Sequence, residues 1–519
     1  MPAVIDQFGR PISSNGKPRA ALTQLPRTSN WHRLRAEYDA ARDTDEFKNY
    51  WANSDQYDAD SANSRPVREK LVPRSRYDVS SNGYADGIAQ TYATDTVGVG
   101  PKLRMQSGSQ GFNQMVEAEF TLWAKAIRLR RKLWCLCHAK HTDGEGFAVV
   151  RTNRNLRNKV KLDLVLYETE QFQTPDLEFF NEGAIDGIRF DQYGNPISYD
   201  LLRRHPGSTT FVGGYQEAER IPARYVLQWF KLRRPGQHRG IPETTSTLNM
   251  GAAARRYREA TIAAAETAAD FTLFLKTQVS PDTLELVDPM STMDIQKRMM
   301  TALPDGYDPF QMRAEHPTAT YEAFHKSLIN EQARPKSMPY NKAACDSSSY
   351  NYASGRLDHQ TYYGALDVDR EDGNDLVLDP LFDLWFDEAI REYRWLGANP
   401  SLVGPAARIH GWDWPKHRVA DIAAEARANN INLRNGSTSL NKLYSEAGED
   451  FEDEIVQMSA DYGITPDEMR RVFLHQMFPT GAAIIDPPPE AIGQKTGALN
   501  DAEEEKSRQD KQASQDAGN

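Results

Sequence analysis

The sequence predicts an α+β fold with a long helical section. Three observations predict it. Val160, Leu162, Leu164 and Leu166 alternate with Lys161, Asp163, Val165 and Tyr167, the period-two pattern of a half-buried strand. Leu381, Leu384, Trp385, Ala389, Tyr393 and Leu396 recur at helical spacing. Residues 247–277 hold Ala252–Ala254, Ala260, Ala263–Ala265, Ala268 and Ala269 with no proline, and alanine is the best helix former.

Residues 1–30 are rich in Pro, Ser and Asn and read as a flexible basic arm, with Arg10, Lys17, Arg19 and Arg27 against Asp6. A helical spacing starts at Trp31, Leu34, Tyr38 and Ala41 after the cap candidate Asn30, and 51–65 reads as polar loop. A second helix covers 67–97, interrupted at Asn82-Gly83 and stopped by Gly98-Val99-Gly100-Pro101. Residues 112–135 read as one helix, with Phe112, Met115, Val116, Phe120, Trp123 and Ile127 on one side. Strands follow at 160–167, 185–190 and 197–201, the last two joined by a turn at Asp191–Pro196. Phe211-Val212 and 225–230 complete a small β-meander.

The alanine-rich stretch predicts a rod of about 45 Å, at 1.5 Å per residue. It breaks at Ser280-Pro281 into a short Met-rich segment, and a second helix follows at 321–333. Small side chains let neighbouring helices approach closely, so Ala252, Ala253, Ala254, Ala263, Ala264 and Ala265 are the candidate packing residues. Residues 334–349, with Pro335 and Pro339, read as a loop; 357–368 and 381–396 are helical. Helices at 419–428, 439–447, 451–462 and 466–477 form a terminal all-helical block, and beyond Pro479 the composition predicts a disordered tail. No internal repeat is evident.

The chain has 519 residues, a 39% hydrophobic fraction and three cysteines. That suffices for a sizeable core and excludes a disulfide framework. No run approaches about 18 uninterrupted apolar residues, and the opening residues hold no apolar signal core. Synthesis in the cytoplasm is therefore expected. Net charge is −11, yet the charge is segregated. Residues 125–161 hold eleven Lys/Arg and two acids, and 220–239 hold six and none. Residues 366–392 hold ten acids and two Arg, and 444–454 hold six acids and no base. Such segregation suits two differently solvated surfaces, or a basic face meeting the acidic face of a neighbouring copy.

Motifs for chemistry are sparse. Cys135, Cys137, His138 and His141 lie close in sequence but lack zinc spacing and a second ligand pair. Ser439-Leu-Asn-Lys442 and Lys495-Thr-Gly497 match two motifs of penicillin-binding enzymes without the third. There is no phosphate loop, no dinucleotide fingerprint, no His-Glu-x-x-His and no Gly-x-Ser-x-Gly. The acids between Asp367 and Asp379 leave a metal-dependent nuclease as a rival reading.

Four ordered blocks resemble the lambda-type portal proteins of tailed bacteriophages. The first runs from Arg74-Ser-Arg76-Tyr77-Asp78 through Asn82-Gly83-Tyr84-Ala85 to Val97-Gly98-Val99-Gly100-Pro101-Lys102-Leu103. The second is Asp143-Gly144-Glu145-Gly146-Phe147 with the basic strand 224–234 and Arg239-Gly240-Ile241-Pro242. The third is Leu303-Pro-Asp-Gly-Tyr307, then Pro317, Tyr321, Phe324 and Leu328, and Ser348–Arg356. The fourth is Trp412-Asp-Trp-Pro415, Asn435–Ser439 and Glu446–Glu452. The sequence departs from the family at Ala353 and Gly355, and at Gln332–Pro335 where the family is more apolar.

The resemblance implies a portal fold with wing, stem, clip and crown, assembled as a ring of usually twelve subunits at one capsid vertex. It divides the chain into the arm 1–30, wing 31–246, stem helix 247–278, clip 279–319, second stem helix 320–333, channel-loop region 334–349, further wing and long helices 350–414, crown 415–478 and acidic tail 479–519. It implies a conduit for packaging and ejecting double-stranded DNA, in the virion and made in the bacterial host. Implied partners are the terminase large subunit, major capsid or scaffold proteins and head–tail connector proteins, with no membrane, metal, cofactor or catalytic residue. Candidate contacts to the passing duplex are Arg334, Lys336, Asn341, Lys342, Ser347, Ser348 and Ser349. Another phage structural protein, without a channel, is the remaining alternative.

Overall fold

The computed structural model describes residues 56–477 apart from 176–183, 210–217, 270–272, 278–306, 312–317, 349, 398–403, 418–421, 448 and 450, with a few positions between 45 and 54. The expected helix at 31–41, the strand at 211–212, most of the clip and both tails lie outside the described residues. The chain divides into two compact units, 1–58 and 59–519. The described residues of the first include a helical turn, Lys48–Trp51, where the Tyr50 and Trp51 rings meet edge to face at 4.7 Å.

The second unit opens with a helical turn, Ala59–Ala62, followed by helices Arg65–Ser81 and Gly83–Val97. Asn82 breaks them apart in extended conformation and caps the second, its side chain accepting from the Tyr84 amide. Strand β1 (Lys102–Met105) follows and pairs antiparallel with the distant β11 (His410–Asp413). The helix expected over 112–135 is two helices, Gln110–Ala126 and Leu129–Thr142. Arg128, at φ 57°, turns the chain between them. A left-handed arginine carries no compositional signature, so the periodicity reads straight through the break.

Two antiparallel sheets replace the single meander. One has the order β3 (Leu162–Tyr167), β2 (Glu145–Thr152), β8 (Val226–Phe230); the other runs β4 (Ala184–Ile185), β5 (Ile188–Phe190), β6 (Pro196–Leu202), β7 (Ala218–Pro222). Strand β2 is central and is buried along residues 145–150. Its Ala148 and Val150 enter the main core, whereas Phe147 and Val149 enter a second core with Phe172, Ile188, Tyr199 and Ile221. A strand covered on both faces shows no alternation, which is why β2 was not legible from periodicity.

The main core joins this sheet to the helices. Phe120 meets Trp385 edge to face at 5.1 Å, Trp412 at 5.6 Å and Phe382 at 6.0 Å. Trp123 donates its indole N–H to the Leu162 carbonyl at 2.9 Å. Helices Tyr352–Gly373 and Asp379–Glu392 are joined without a break by a π-helical turn, Asn374–Leu378. There Gly373 lies against Trp229, where an added Cβ would sit 2.8 Å from the ring.

The alanine-rich helix spans Leu248–Ala269, about 33 Å at 1.5 Å per residue and shorter than the composition predicts. Residues 273–277, Leu-Phe-Leu-Lys-Thr, instead form β9, paired antiparallel with β10 (Tyr307–Gln311). Aromatic and β-branched residues favour strand there over helix. The return helix, Thr318–Ala333, packs against the first, with Tyr257 stacked on Tyr321 at 5.7 Å and Phe324 edge-on at 5.0 Å. Gly251 lies against the Gln332 side chain of the return helix, where an added Cβ would sit 2.7 Å from Nε2. Four helices close the described chain: Ile422–Arg434, Leu440–Ala447, Phe451–Tyr462 and Pro466–Met477.

Candidate functional site

The first and second of the sequence blocks singled out above meet around the start of β2. Arg76 grips Asp143 with two parallel hydrogen bonds of 2.8 Å. Two residues on, the fully buried Glu145 accepts from Arg239 Nη2 at 2.7 Å, from Gln228 Nε2 at 2.8 Å and from the Gly240 amide at 2.9 Å. Burial alone would raise the Glu145 pKa, but the Arg239 guanidinium and its hydrogen bonds hold it below the usual range. The remaining donors of Arg239 reach the Phe172 and Asp186 carbonyls at 2.8 and 2.7 Å. The backbones touch as well: a Cβ on Gly240 would lie 2.2 Å from the Gly144 carbonyl oxygen. Only glycine fits. These blocks form a structural lock on the first sheet.

The fourth block behaves in the same way. Trp412 donates to Asp379 at 2.7 Å and Trp414 to Asn374 at 2.9 Å, which fastens β11 and the residue that follows it to the two ends of the π-helical junction. Pro415 fills the space beside Gly98, at φ 53°, where the first block ends.

A second polar centre sits where the alanine-rich helix leaves the body and its partner returns. Lys140, Lys336, Glu243 and Asp369 have side chains at most 3% exposed. Lys140 Nζ donates to Asp369 at 2.6 Å and to the Tyr92 hydroxyl at 3.1 Å, and Tyr92 donates to Asp369 at 2.9 Å. Lys336 Nζ meets the Glu243 carboxylate, lies 3.6 Å from Asp369 and sits 3.4 Å from the Tyr92 ring centre. Burial would raise Asp369, yet Lys336 and Lys140 hold it well below the carboxylate range. Burial, reinforced by Lys140, pushes Lys336 well below its ordinary value.

His141 lies beside this centre, its Nδ1 3.5 Å from Glu243. Burial first, then the field of Lys336, lowers its pKa well below 6.5. The folded protein therefore binds fewer protons here than the unfolded chain. The stability this group confers is complete above pH 6.5 and is lost as pH falls from there toward the folded pKa. Unfolding free energy is expected to fall on acidification below about pH 6.5, by up to about 1.4 kcal/mol per unit from His141 alone. Urea titrations from pH 7.5 to 4.5 check this. His141→Gln should flatten the slope, and an unchanged slope would place its origin elsewhere.

The expected DNA-contact segment is not one open loop. It holds a 3-10 turn, Arg334–Lys336, and a helical turn, Tyr340–Ala343. Pro335 occupies the early-turn position where its missing N–H costs nothing. Lys336, expected to meet the duplex, instead faces inward to Glu243 and Asp369, because two buried carboxylates from distant segments claim its charge. Lys342 pairs with Asp95 at 2.6 Å, and Asn341 bonds the His359 ring at 2.9 Å. Arg334, Ser347 and Ser348 are exposed, and Ser349 lies outside the described residues.

Of the six candidate alanines, Ala254 is buried within the chain, Ala253 and Ala264 are half-buried, and Ala252, Ala263 and Ala265 are exposed. Cys135 and Cys137 fall on opposite sides of their helix, one exposed and one buried, as an i, i+2 spacing requires. The acids from Asp367 to Asp379 do not converge. Asp367 accepts from His417 at 2.9 Å, Asp369 is enclosed by the lysines, and Asp379 accepts from Trp412. Among the described residues one group has metal-like spacing, Glu168, Glu170 and His205. Arg76 already lies within 3.1 Å of both glutamates. No helix of the described residues is long and apolar enough to cross a membrane.

The family model described as phage portal protein, lambda family, matches residues 46–368. A protein of Halomonas phage phiHAP-1 described as "Probable portal protein" is 24% identical over 469 residues, covering 82% of this chain and 86% of that protein. Among solved structures, a chain from the virion of a native gene transfer agent particle aligns at TM-score 0.38 and 13% identity, over 73% of this chain and 93% of that one. A chain from the neck of the native particle, computed with C12 symmetry, aligns at TM-score 0.37 and 14% identity, over 72% and 92%.

Proposed function

The chain belongs to the lambda family of phage portal proteins, and from that premise we propose that it forms a ring, of twelve subunits, through which double-stranded DNA is packaged and later ejected. The observation that carries this reading is the family match across residues 46–368, which spans both sheets and the helix pair and stops before the core helix Asp379–Glu392. In this reading the sheets and their helices, 59–246 with 350–414, are the wing. The helices Leu248–Ala269 and Thr318–Ala333 are the stem, and the β9–β10 ribbon with the segment it brackets is the clip. The helices after residue 421 form the crown.

Alanines 252, 263 and 265, exposed in the single chain, would then face the stem of a neighbouring copy, where small side chains let rods pack closely. Arg334, Ser347 and Ser348 remain the candidates for touching the duplex backbone. A passive channel is served by few strong phosphate contacts, since each one adds to the force that holds DNA in place. The motor that hydrolyses ATP would be a terminase docked on the clip, and connector proteins would follow it there once the head is full. The ring would sit in the virion, at one vertex among the capsid proteins, after synthesis in the host cytoplasm.

Negative-stain imaging with multi-angle light scattering tests the reading. Twelve times 58.6 kDa gives a particle of about 703 kDa with a central pore. A monomer or dimer at every salt and protein concentration would overturn the ring for the isolated protein.

A further inference from the structure

The basic run 220–239 resolves into two classes of cation. Arg220 pairs with Asp200 at 3.1 Å, Arg224 with Asp387 at 3.8 Å, and Arg239 with Glu145 at 2.7 Å. Lys231 and Arg233 differ: among the described residues neither side chain has a hydrogen bond or an ion pair, and the same holds for Arg334. All three line one open cleft of about 440 Å³, together with Ser246, Thr247, Glu331 and Pro335. The cleft lies where β8 runs out, where the alanine-rich helix begins and where its partner ends. Three cations face the single acid Glu331, an excess of two positive charges.

We propose that this cleft binds a tetrahedral oxyanion of the phosphate class, held by Arg233 and Arg334 with Lys231 as the third charge and the Ser246 hydroxyl as a neutral donor. A guanidinium fork matches two oxygens of a phosphate, and two forks brought from separate segments match more than one carboxylate can offer. Arg233 is exposed and no acidic neighbour acts on it, so its charge stands uncompensated at the mouth of the cleft. The positive field of Lys231 also reaches Lys336 and Asp369 in the buried centre, so an anion in the cleft would ease the crowding of positive charge there. The anion would tie the end of β8 to the root of the return helix.

The phosphate can come from a free anion or from the backbone of a nucleic acid, and two arms separate these sources. Thermal melts of the purified full chain are run with inorganic pyrophosphate, and in parallel with a duplex of arbitrary sequence, at matched ionic strength. A ligand that binds only the folded state raises the melting temperature with concentration. Pyrophosphate is expected to raise it. The Arg233→Gln/Arg334→Gln pair should weaken the dependence by about tenfold in concentration or more, while Arg154→Gln, an exposed cation on another loop, leaves it intact. Arg233→Lys should fall between, keeping charge but losing the fork. A duplex arm that loses affinity in the same variants, with a reduced salt dependence, assigns the phosphate to DNA; a duplex arm indifferent to them assigns it to the free anion. The substituted side chains are at the surface, and unliganded melts verify that the variants fold. If neither ligand's effect depends on Arg233 and Arg334, the site does not exist. The experiment does not depend on the ring, and its failure would leave the portal reading untouched.

Discussion

Arg239→Met should destabilise the protein by about 3–5 kcal/mol, the range for removing one partner of a buried ion pair. The side chain is 2% exposed and Glu145 is 0% exposed, so water cannot replace the guanidinium when it is lost, and Arg68, whose charge also acts on Glu145, is engaged by Asp186. Glu145 would keep Gln228 and the Gly240 amide but not its hydrogen-bonded counter-charge, and the Phe172 and Asp186 carbonyls would lose their donor. Much of that loss is the cost of a stranded carboxylate. Adding Glu145→Met in the same chain should therefore recover part of it, because a pair replaced by apolar groups of similar size is far less costly than a pair broken. Urea unfolding of the two single variants and the double variant measures this. A single variant within about 1 kcal/mol of the parent would mean that the pair is solvated in solution.

Lys140→Met should have an effect of the same order, about 3–5 kcal/mol, by the same argument. Its consequence also reads out in pH. With Lys140 in place, Asp369 is held below 3.8, so the stability it confers is complete above that value and is lost as pH falls through the folded pKa. Without Lys140, one of the cations that hold Asp369 down is gone, along with its hydrogen bond, and burial pushes the carboxyl back up. Acid unfolding of the variant should begin at a higher pH than in the parent. Lys140→Met/Asp369→Asn should remove that difference while keeping some of the stability loss. Equal acid midpoints in parent and single variant would show that Lys140 does not govern Asp369.

The elements that local pattern determines were legible. Asn82-Gly83 splits two helices where the composition places the break, Leu162–Tyr167 is a strand, and Pro466–Met477 begins at its proline. What was not legible depends on partners far away in the chain. Strand β1 has four residues and exists because residues 410–413 pair with it. Lys336 reads as a solvent-facing cation in a loop, and its burial follows from Glu243 and Asp369, which no local window contains. The conspicuous Asp143–Phe147 and Arg239–Pro242 blocks were visible as residues but not as a pair. Their glycines are required by each other's backbone, and that is a property of the contact.

The contact between Glu243 and Lys336 has a topological consequence. The chain departs the body at the first of these residues and comes back at the second, so residues 244–335 form a closed excursion whose two ends are stapled together. Closing such a detour costs entropy that rises only with the logarithm of its length. Its contour can therefore be lengthened, shortened or exchanged at little expense to the scaffold that anchors it. Natural variation in length should concentrate within that detour. A chain in which a short Gly/Ser bridge joins Thr247 to Ala333 should retain the two-sheet body and its aromatic core.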